Sequence, residues 1–229
     1  AMDSIDKSWL SRLGVSHFDE NYIFSGCELW KRGGEEDLAF LYASENLTLI
    51  SCSDEVREHL EKTKLQSLHE YVKNVDPQGL EVYIDDIDYY LFGSMRDFKS
   101  VVQIHELELD ANRELLEQFI AEFDDADVLK ADFSLDSDYF YMAYLHGEPV
   151  GIIASYCGVE PFESLSILVK PYCRQGGVGK ALTSKWVNEV SARGRVARYR
   201  TNRDNVASRH LCESLGFVAH SNIQILAKL

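Results

Sequence analysis

The segment that most constrains the fold of this chain is Ser166-Ile167-Leu168-Val169-Lys170-Pro171-Tyr172-Cys173-Arg174-Gln175-Gly176-Gly177-Val178-Gly179-Lys180-Ala181-Leu182. An apolar, β-rich run passes through a proline into three glycines within four positions, and an amphipathic helical pattern follows at once. A strand that feeds directly through a glycine turn into a helix belongs to α/β architecture. The glycines admit positive φ, so backbone N–H groups can turn inward. The helix behind them brings its own unpaired N–H groups and the positive end of its dipole to the same place. Together these features predict a cradle for an anion. A turn that needs glycine for geometry alone would carry the same residues. Spacing excludes two nucleotide motifs. A Walker loop has four residues between its glycines and then Gly-Lys-Ser/Thr, and a dinucleotide fingerprint has a third glycine, which is missing after Gly177 and Gly179.

Charge sharpens the question of which anion. The chain of 229 residues carries a formal net charge of −15, which argues against general nucleic-acid binding. Residues 170–210 nevertheless hold ten Lys/Arg against two Asp/Glu, whereas 111–163 hold two against twelve. A solvated basic face would give such an island, and so would a pocket for a small polyanion. The glycine-rich loop lies inside the island. With 45% apolar residues, the length suits one large domain or two small ones. The five cysteines are odd in number and contain no C-x-x-C pair, which excludes a disulfide framework and a zinc site, so no metal is expected. No apolar run approaches the ~20 residues that cross a bilayer. The acidic and basic residues of the first twenty positions do not fit a signal peptide, and a cytoplasmic location is expected.

Along the chain, 38–52 reads as two strands around Ser44-Glu45-Asn46. Ser53-Asp54 caps a helix of about ten residues, Ser67 to Val75 is a shorter helix, and 80–84 a strand. Residues 100–109 are extended, and Asp110 is expected to cap a helix over 112–123. Strands follow at 139–145, 150–157 and 164–169, a helix at 177–193, a strand at 196–202, a helix at 205–215 and a last strand at 223–227.

Two motifs carry a family resemblance. The first is Arg174-x-x-Gly177-x-Gly179 behind a strand ending Val169-x-Pro171. The second runs from Asn205 at a helix start, through Ser208, to Leu215-Gly216-Phe217. In this order, a helix and a strand apart, they resemble the GNAT superfamily of N-acetyltransferases over about 104–229. The resemblance implies an α/β (α+β) GNAT fold, a mixed central sheet flanked by helices. It implies an acetyltransferase domain at 104–229 preceded by a smaller α/β domain at 1–103, either a helper or a worn second copy of the same fold.

The resemblance also implies roles. Acetyl-CoA is the cosubstrate. The strand residues Ile167, Leu168 and Val169 would pair with its pantetheine arm. The loop Arg174, Gln175, Gly176, Gly177, Val178, Gly179 and Lys180 would hold its pyrophosphate, and Asn205 and Ser208 would line its channel. Glu163, eleven residues before Arg174, stands where many members carry a general base, with Glu160 and Glu148 as competitors. Cys212 occupies the place of a usual acid tyrosine, and Tyr172 and Tyr199 are conceivable replacements. The expected partners are a coenzyme A thioester and an amine, not nucleic acid or membrane, with monomer and homodimer both open. The implied activity is direct acetyl transfer to a primary amine of a small molecule or amino acid, with a cationic acceptor as one refinement. A non-catalytic coenzyme A sensor and a protein or peptide N-acetyltransferase are the alternatives.

Overall fold

The computed structural model describes residues 2–16, 21–31, 33–65, 67–75, 79–96, 98 and 100–229. The elements in chain order are α1 (Met2–Arg12), β1 (Asn21–Phe24), α2 (Glu28–Lys31), β2 (Asp37–Ser44), β3 (Thr48–Cys52), α3 (Asp54–Thr63), α4 (Leu68–Asn74), β4 (Leu80–Leu91) and β5 (Gln103–Leu107). There follow α5 (Leu109–Ala121), α6 (Asp125–Ala131), β6 (Tyr139–Leu145), β7 (Glu148–Tyr156), β8 (Phe162–Val169), a 3-10 turn (Pro171–Cys173), α7 (Val178–Ala192), β9 (Val196–Asn202), α8 (Val206–Ser214) and β10 (Val218–Lys228). This is the mixed arrangement of sheet and flanking helices that the sequence implies. The chain divides into two compact units. One comprises Ala1–Tyr89, Arg200–Arg209 and Ala219–Leu229; the other comprises Tyr90–Tyr199 and His210–Val218. Each is assembled from segments far apart in sequence.

In the first unit the strands run β1-β3-β2-β10-β4. β2 and β3 are antiparallel across the turn read from sequence, and β10 lies antiparallel along the other side of β2, from Ser221 opposite Ser44 to Ala227 opposite Asp37. Ser53 acts as expected and Ser67, read as the first residue of its helix, proves to be a cap as well: their hydroxyls accept the N–H groups of Val56 and Glu70 and start α3 and α4. These helices bury Val56, Leu60, Leu68 and Tyr71 against Ala39, Leu41, Ile50, Cys52 and Leu226. The alternate residues of β2 face α1, where Trp9 stacks on Phe40 and Tyr42 and the Tyr42 hydroxyl donates to Asp6 at 2.6 Å.

Strand β4 runs much further than 80–84. Its polar stretch Asp85-Asp86-Ile87-Asp88 conceals a strand because the carboxylates are satisfied inside the unit. Asp88 is fully buried and receives a bidentate pair of hydrogen bonds from Arg200, at 2.6 and 2.9 Å. Asp85 accepts from Asn222 and Gln224 of β10 and from Arg203, and lies 3.3 Å from the His69 ring nitrogen.

The second unit has strand order β9-β8-β7-β6-β5, antiparallel from β8 outward and parallel between β8 and β9. On one face α5 and α6 pack Leu116, Phe119 and Phe123 against Phe140, Met142, Ile152, Ala154 and Leu168. Helix α5 starts at Leu109, earlier than expected, and Asp110 is not its cap. The chain kinks at Asn112, whose backbone and side-chain nitrogens both donate to the Glu108 carbonyl. On the other face α7 buries Ala181, Leu182, Trp186, Val187 and Val190. Gly151 of β7 permits that approach, since a Cβ there would stand 2.9 Å from Leu182 Cδ1 and 3.1 Å from Val178 Cγ1. Gly151→Val is therefore expected to lift the first turns of α7 and destabilise the fold by roughly 1–3 kcal/mol. Thermal unfolding should show a loss of about 3–10 °C. Gly158→Val, which meets open space, should leave the midpoint within a degree or two of the wild type.

Candidate functional site

Strand β8 has two different edges. The N–H of Lys170, just past its end, donates to Val150 at 2.9 Å. In an antiparallel ladder hydrogen-bonded pairs alternate, so Leu168, Ser166 and Ser164 turn their backbone groups to β7. Leu165, Ile167 and Val169 turn theirs the other way. On that side the described rungs to β9 comprise only Phe162–Ser164 against Val196–Arg198. Leu165, Ile167 and Val169 lie beyond the last of them. Of the three strand residues singled out in the sequence, Ile167 thus presents both backbone groups and Val169 its N–H. The Val169 carbonyl accepts from Arg174 Nε at 3.2 Å. Leu168 faces β7 with its backbone and the α5/α6 core with its side chain.

The edge leads into the glycine loop. After the 3-10 turn, Gln175 and Gly177 both adopt left-handed φ, +67° and +84°, with Gly176 between them. Such alternation curls consecutive N–H groups to one side. The first helical bond of α7 runs from Ala181 N–H to the Gly177 carbonyl, so the N–H groups of Val178, Gly179 and Lys180 project from the helix start. Gly177 has no side chain with which to cap them. A Cβ at Gly179 would touch Leu211 at an ordinary 3.6 Å, so there glycine is not required by packing. Lys180 lies over the Phe98 ring with Nζ 5.9 Å from its centroid.

Most of the basic island is spent on ion pairs. Lys170 meets Glu122 at 2.5 Å, Arg174 approaches Asp127 at 3.7 Å and Lys185 meets Glu189 at 2.8 Å. Arg193 pairs with Glu163, Arg195 with Glu160, Arg200 with Asp88 and Arg203 with Asp85. The acidic partners come mainly from segments outside the island. An anion at the loop would therefore meet backbone N–H groups more than a field of spare cations.

Glu163 is fully buried. Its Oε1 accepts from Arg193 Nε at 2.7 Å, and its Oε2 from Arg193 Nη2 at 2.8 Å and from the Ser155 hydroxyl at 2.7 Å. Burial pushes its carboxyl up, but the hydrogen bonds from Arg193 and Ser155 and the charges of Arg193 and Arg195 outweigh burial and hold it below its ordinary value. Arg193, raised further by Glu163, stays charged. Cys157 lies beside this pair, and burial together with the Glu163 charge pushes its thiol up to about 11. Sequence spacing gives no sign of the pairing of 163 with 193; it arises from the β7/β8 register and the length of α7.

The other named residues fall as follows. Cys212 is fully buried in α8, whose end explains the Leu-Gly-Phe signal. Gly216 takes φ +94° and donates to the Glu213 carbonyl, and Phe217 donates to the Cys212 carbonyl, the paired bonds of a Schellman terminus. Phe217 then packs on Trp186 and edge-on to Tyr199. Tyr172 is 71% exposed, and Glu148 is exposed at the end of β7 remote from Glu163. Glu160 pairs with Arg195 on the surface. Asn205 belongs to the first unit, where its side chain accepts the Ser208 N–H at 3.2 Å and caps α8. The remaining candidates, Glu163, Ile167 to Val169, Arg174 to Lys180 and Cys212, belong to the second unit. Among the described residues no group of three His, Cys, Asp or Glu is placed to hold a metal ion, and no helix is long and apolar enough to cross a membrane.

Residues 136–219 match the family model described as an acetyltransferase (GNAT) domain. A GCN5-related N-acetyltransferase-like protein from Streptococcus suis is similar in structure, with TM-score 0.49 and 15% identity, over 80% of this chain and 71% of that one. A GCN5-related N-acetyltransferase from Kribbella flavida gives 0.47 and 12%, over 66% and 60%. The ribosomal-protein-S18-alanine N-acetyltransferase from Escherichia coli gives 0.41 and 18%, over 55% and 92%. No curated protein sequence matches the chain.

The buried pair predicts a pH dependence of stability. A carboxyl whose folded pKa lies below its unfolded value, about 4.3 for Glu, stabilises fully above that value. The contribution is lost as pH falls through the lowered folded value. Urea unfolding between pH 6 and 3 should show the wild type weakening progressively below about pH 5. Glu163→Gln, less stable at neutral pH, should lose less over the same interval.

Proposed function

We propose that this chain, which carries a GNAT acetyltransferase domain over residues 136–219, binds acetyl-CoA and transfers its acetyl group directly to a primary amine of a small molecule or amino acid. The observation that carries this reading is the continuity of the free β8 edge with an uncapped helix start. An extended, amide-bearing chain that ends in a pyrophosphate needs strand-like partners followed by convergent N–H donors, and Ile167 to Lys180 offer them in that order.

In this reading the Ile167 backbone pairs with the pantetheine amides. The N–H groups of Gln175 and of Gly177 to Lys180 receive the pyrophosphate, that of Gly176 being given to the Cys173 carbonyl, and Lys180 adds a charge beside them. Arg174, tied back to the Val169 carbonyl, holds the loop in shape. The bound coenzyme supplies an activated thioester. The acceptor must present a neutral amine, whereas an alkyl amine has a pKa near 10 in water. Proton removal, directly or through water, is therefore part of the reaction. A backbone N–H of the free edge, at Ile167 or Val169, is the donor we assign to the developing oxyanion. Asn205 and Ser208, at the capped start of α8, are kept as coenzyme-channel residues. Cys212 is sealed in the core of its unit, as fully as Glu163 is, so neither catalytic candidate named from sequence has an exposed side chain with which to meet the acceptor.

Two measurements test the reading. Acetyl-CoA at about 100 times its Kd should raise the thermal midpoint by about 5–10 °C, with ATP and NAD as controls, and no shift would remove the coenzyme site. Consumption of acetyl-CoA should then depend on an added amine. Binding without amine-dependent turnover across a broad acceptor screen would leave a sensor instead. Gly177→Val, forced into left-handed φ, should cost at least tenfold in acetyl-CoA affinity. Gly179→Ala, in ordinary contact distance and in a helix, should stay within about twofold of the wild type.

A further inference from the structure

Glu163 and Arg193 join the two elements that meet again at the coenzyme loop. Helix α7 begins at Val178, directly behind the glycines, and Arg193 is the first residue past its other end. Strand β8 begins at Phe162 and ends at Val169, directly before the loop. The chain is thus closed twice, covalently through 170–177 and again by the pair 163–193. The second closure is wide. Arg193 Nη1 donates to the Tyr141 hydroxyl of β6 at 3.0 Å, and its guanidinium lies 3.9 Å from the centre of the Tyr139 ring. Ser155 of β7 donates to Glu163 and accepts from Trp186 Nε1 of α7 at 2.9 Å. Three strands and the helix therefore converge on one buried carboxylate.

A bidentate guanidinium–carboxylate pair fixes angle as well as distance, because two parallel hydrogen bonds require the planar groups to align. A helix of 15 residues is a stiff rod about 22 Å long. A tilt of about 10° at its C-terminal end would carry its N-terminal end about 4 Å, far beyond the roughly 0.5 Å within which a binding constellation must be held. A carboxylate gripped by an arginine is also a poor proton acceptor, and Glu163 has no exposure through which an amine could reach it.

We propose that Glu163 and Arg193 are positioning residues for the coenzyme loop: their pair sets the inclination of α7 against β8 and so the placement of the N–H groups at 175–180, and Glu163 does not take the proton from the amine. This rests on the acetyl-CoA reading above.

The test is the Kd of the full chain for acetyl-CoA by titration calorimetry, well below the unfolding temperature, for wild type, Glu163→Gln and Arg193→Lys. The lysine keeps the charge and loses the second parallel bond. Both variants are expected to bind at least tenfold more weakly. A general base or a residue that merely adds stability would leave donor affinity untouched, so Kd values within twofold of the wild type overturn the proposal whatever happens to Tm. If a single variant fails to fold, the double variant E163M/R193M removes both charges and fills the space with apolar side chains. The same loss of affinity is expected of it, and wild-type affinity in this folded variant would likewise overturn the proposal. Wild-type protein that binds no acetyl-CoA would instead overturn the coenzyme reading itself, and the two failures are told apart by that first titration.

Discussion

The close approach of α7 to β7 and β8 is the constraint from which the second unit takes its form. It requires a residue without a side chain at Gly151, a run of small and apolar residues on the inner face of the helix, and a way to satisfy the one carboxylate that the approach encloses. Glu163 would cost several kcal/mol if it were buried alone. Ser155 and Arg193 make it tolerable, and in doing so they turn an apolar contact, which has no direction of its own, into one with a defined angle. The loop ahead of α7 inherits that angle.

Charge counted along the chain and charge arranged in space tell different stories here. Read linearly, 170–210 is a basic island between acidic segments. Folded, the island consists largely of cations that each answer a carboxylate brought from elsewhere, with Asp88 and Glu163 fully buried at the centre of two such pairs. What the loop offers an anion is mainly dipolar, helix N–H groups and two residues in left-handed conformation, with Lys180 beside them. Such a site depends on shape more than on net charge, which suits a protein whose overall charge is strongly negative.

The elements most legible in the sequence are those with local causes. Ser53 and Ser67 as caps, Asn205 as the cap of α8 and Gly216 as its terminator are all decided within a few residues. So are the strands at 139–145 and 196–202. What stayed hidden has distant causes. The second half of β4 looks like a polar loop until Arg200, Asn222 and Gln224 are placed beside its aspartates. The first part of β10 is polar for the same reason. Helix α1 and the short β1 and α6 have patterns too weak to stand apart from loops. The candidate site divides in the same way. The glycine loop is written in consecutive residues, whereas the partner of Glu163 lies thirty positions away and depends on the whole of α7.

In the first unit β10 lies between β2 and β4, so a strand near residue 220 completes a sheet begun near residue 40. During synthesis, β2 and β3 leave the ribosome long before the strand that will flank them, and β2 meanwhile offers a bare edge. Strands made well before β10 are thus among the last to close, and their pairing waits on passage through the entire second unit. Such long-range pairing folds slowly. It also means that a chain cut short before β10 would lose not a tail but the middle of a sheet.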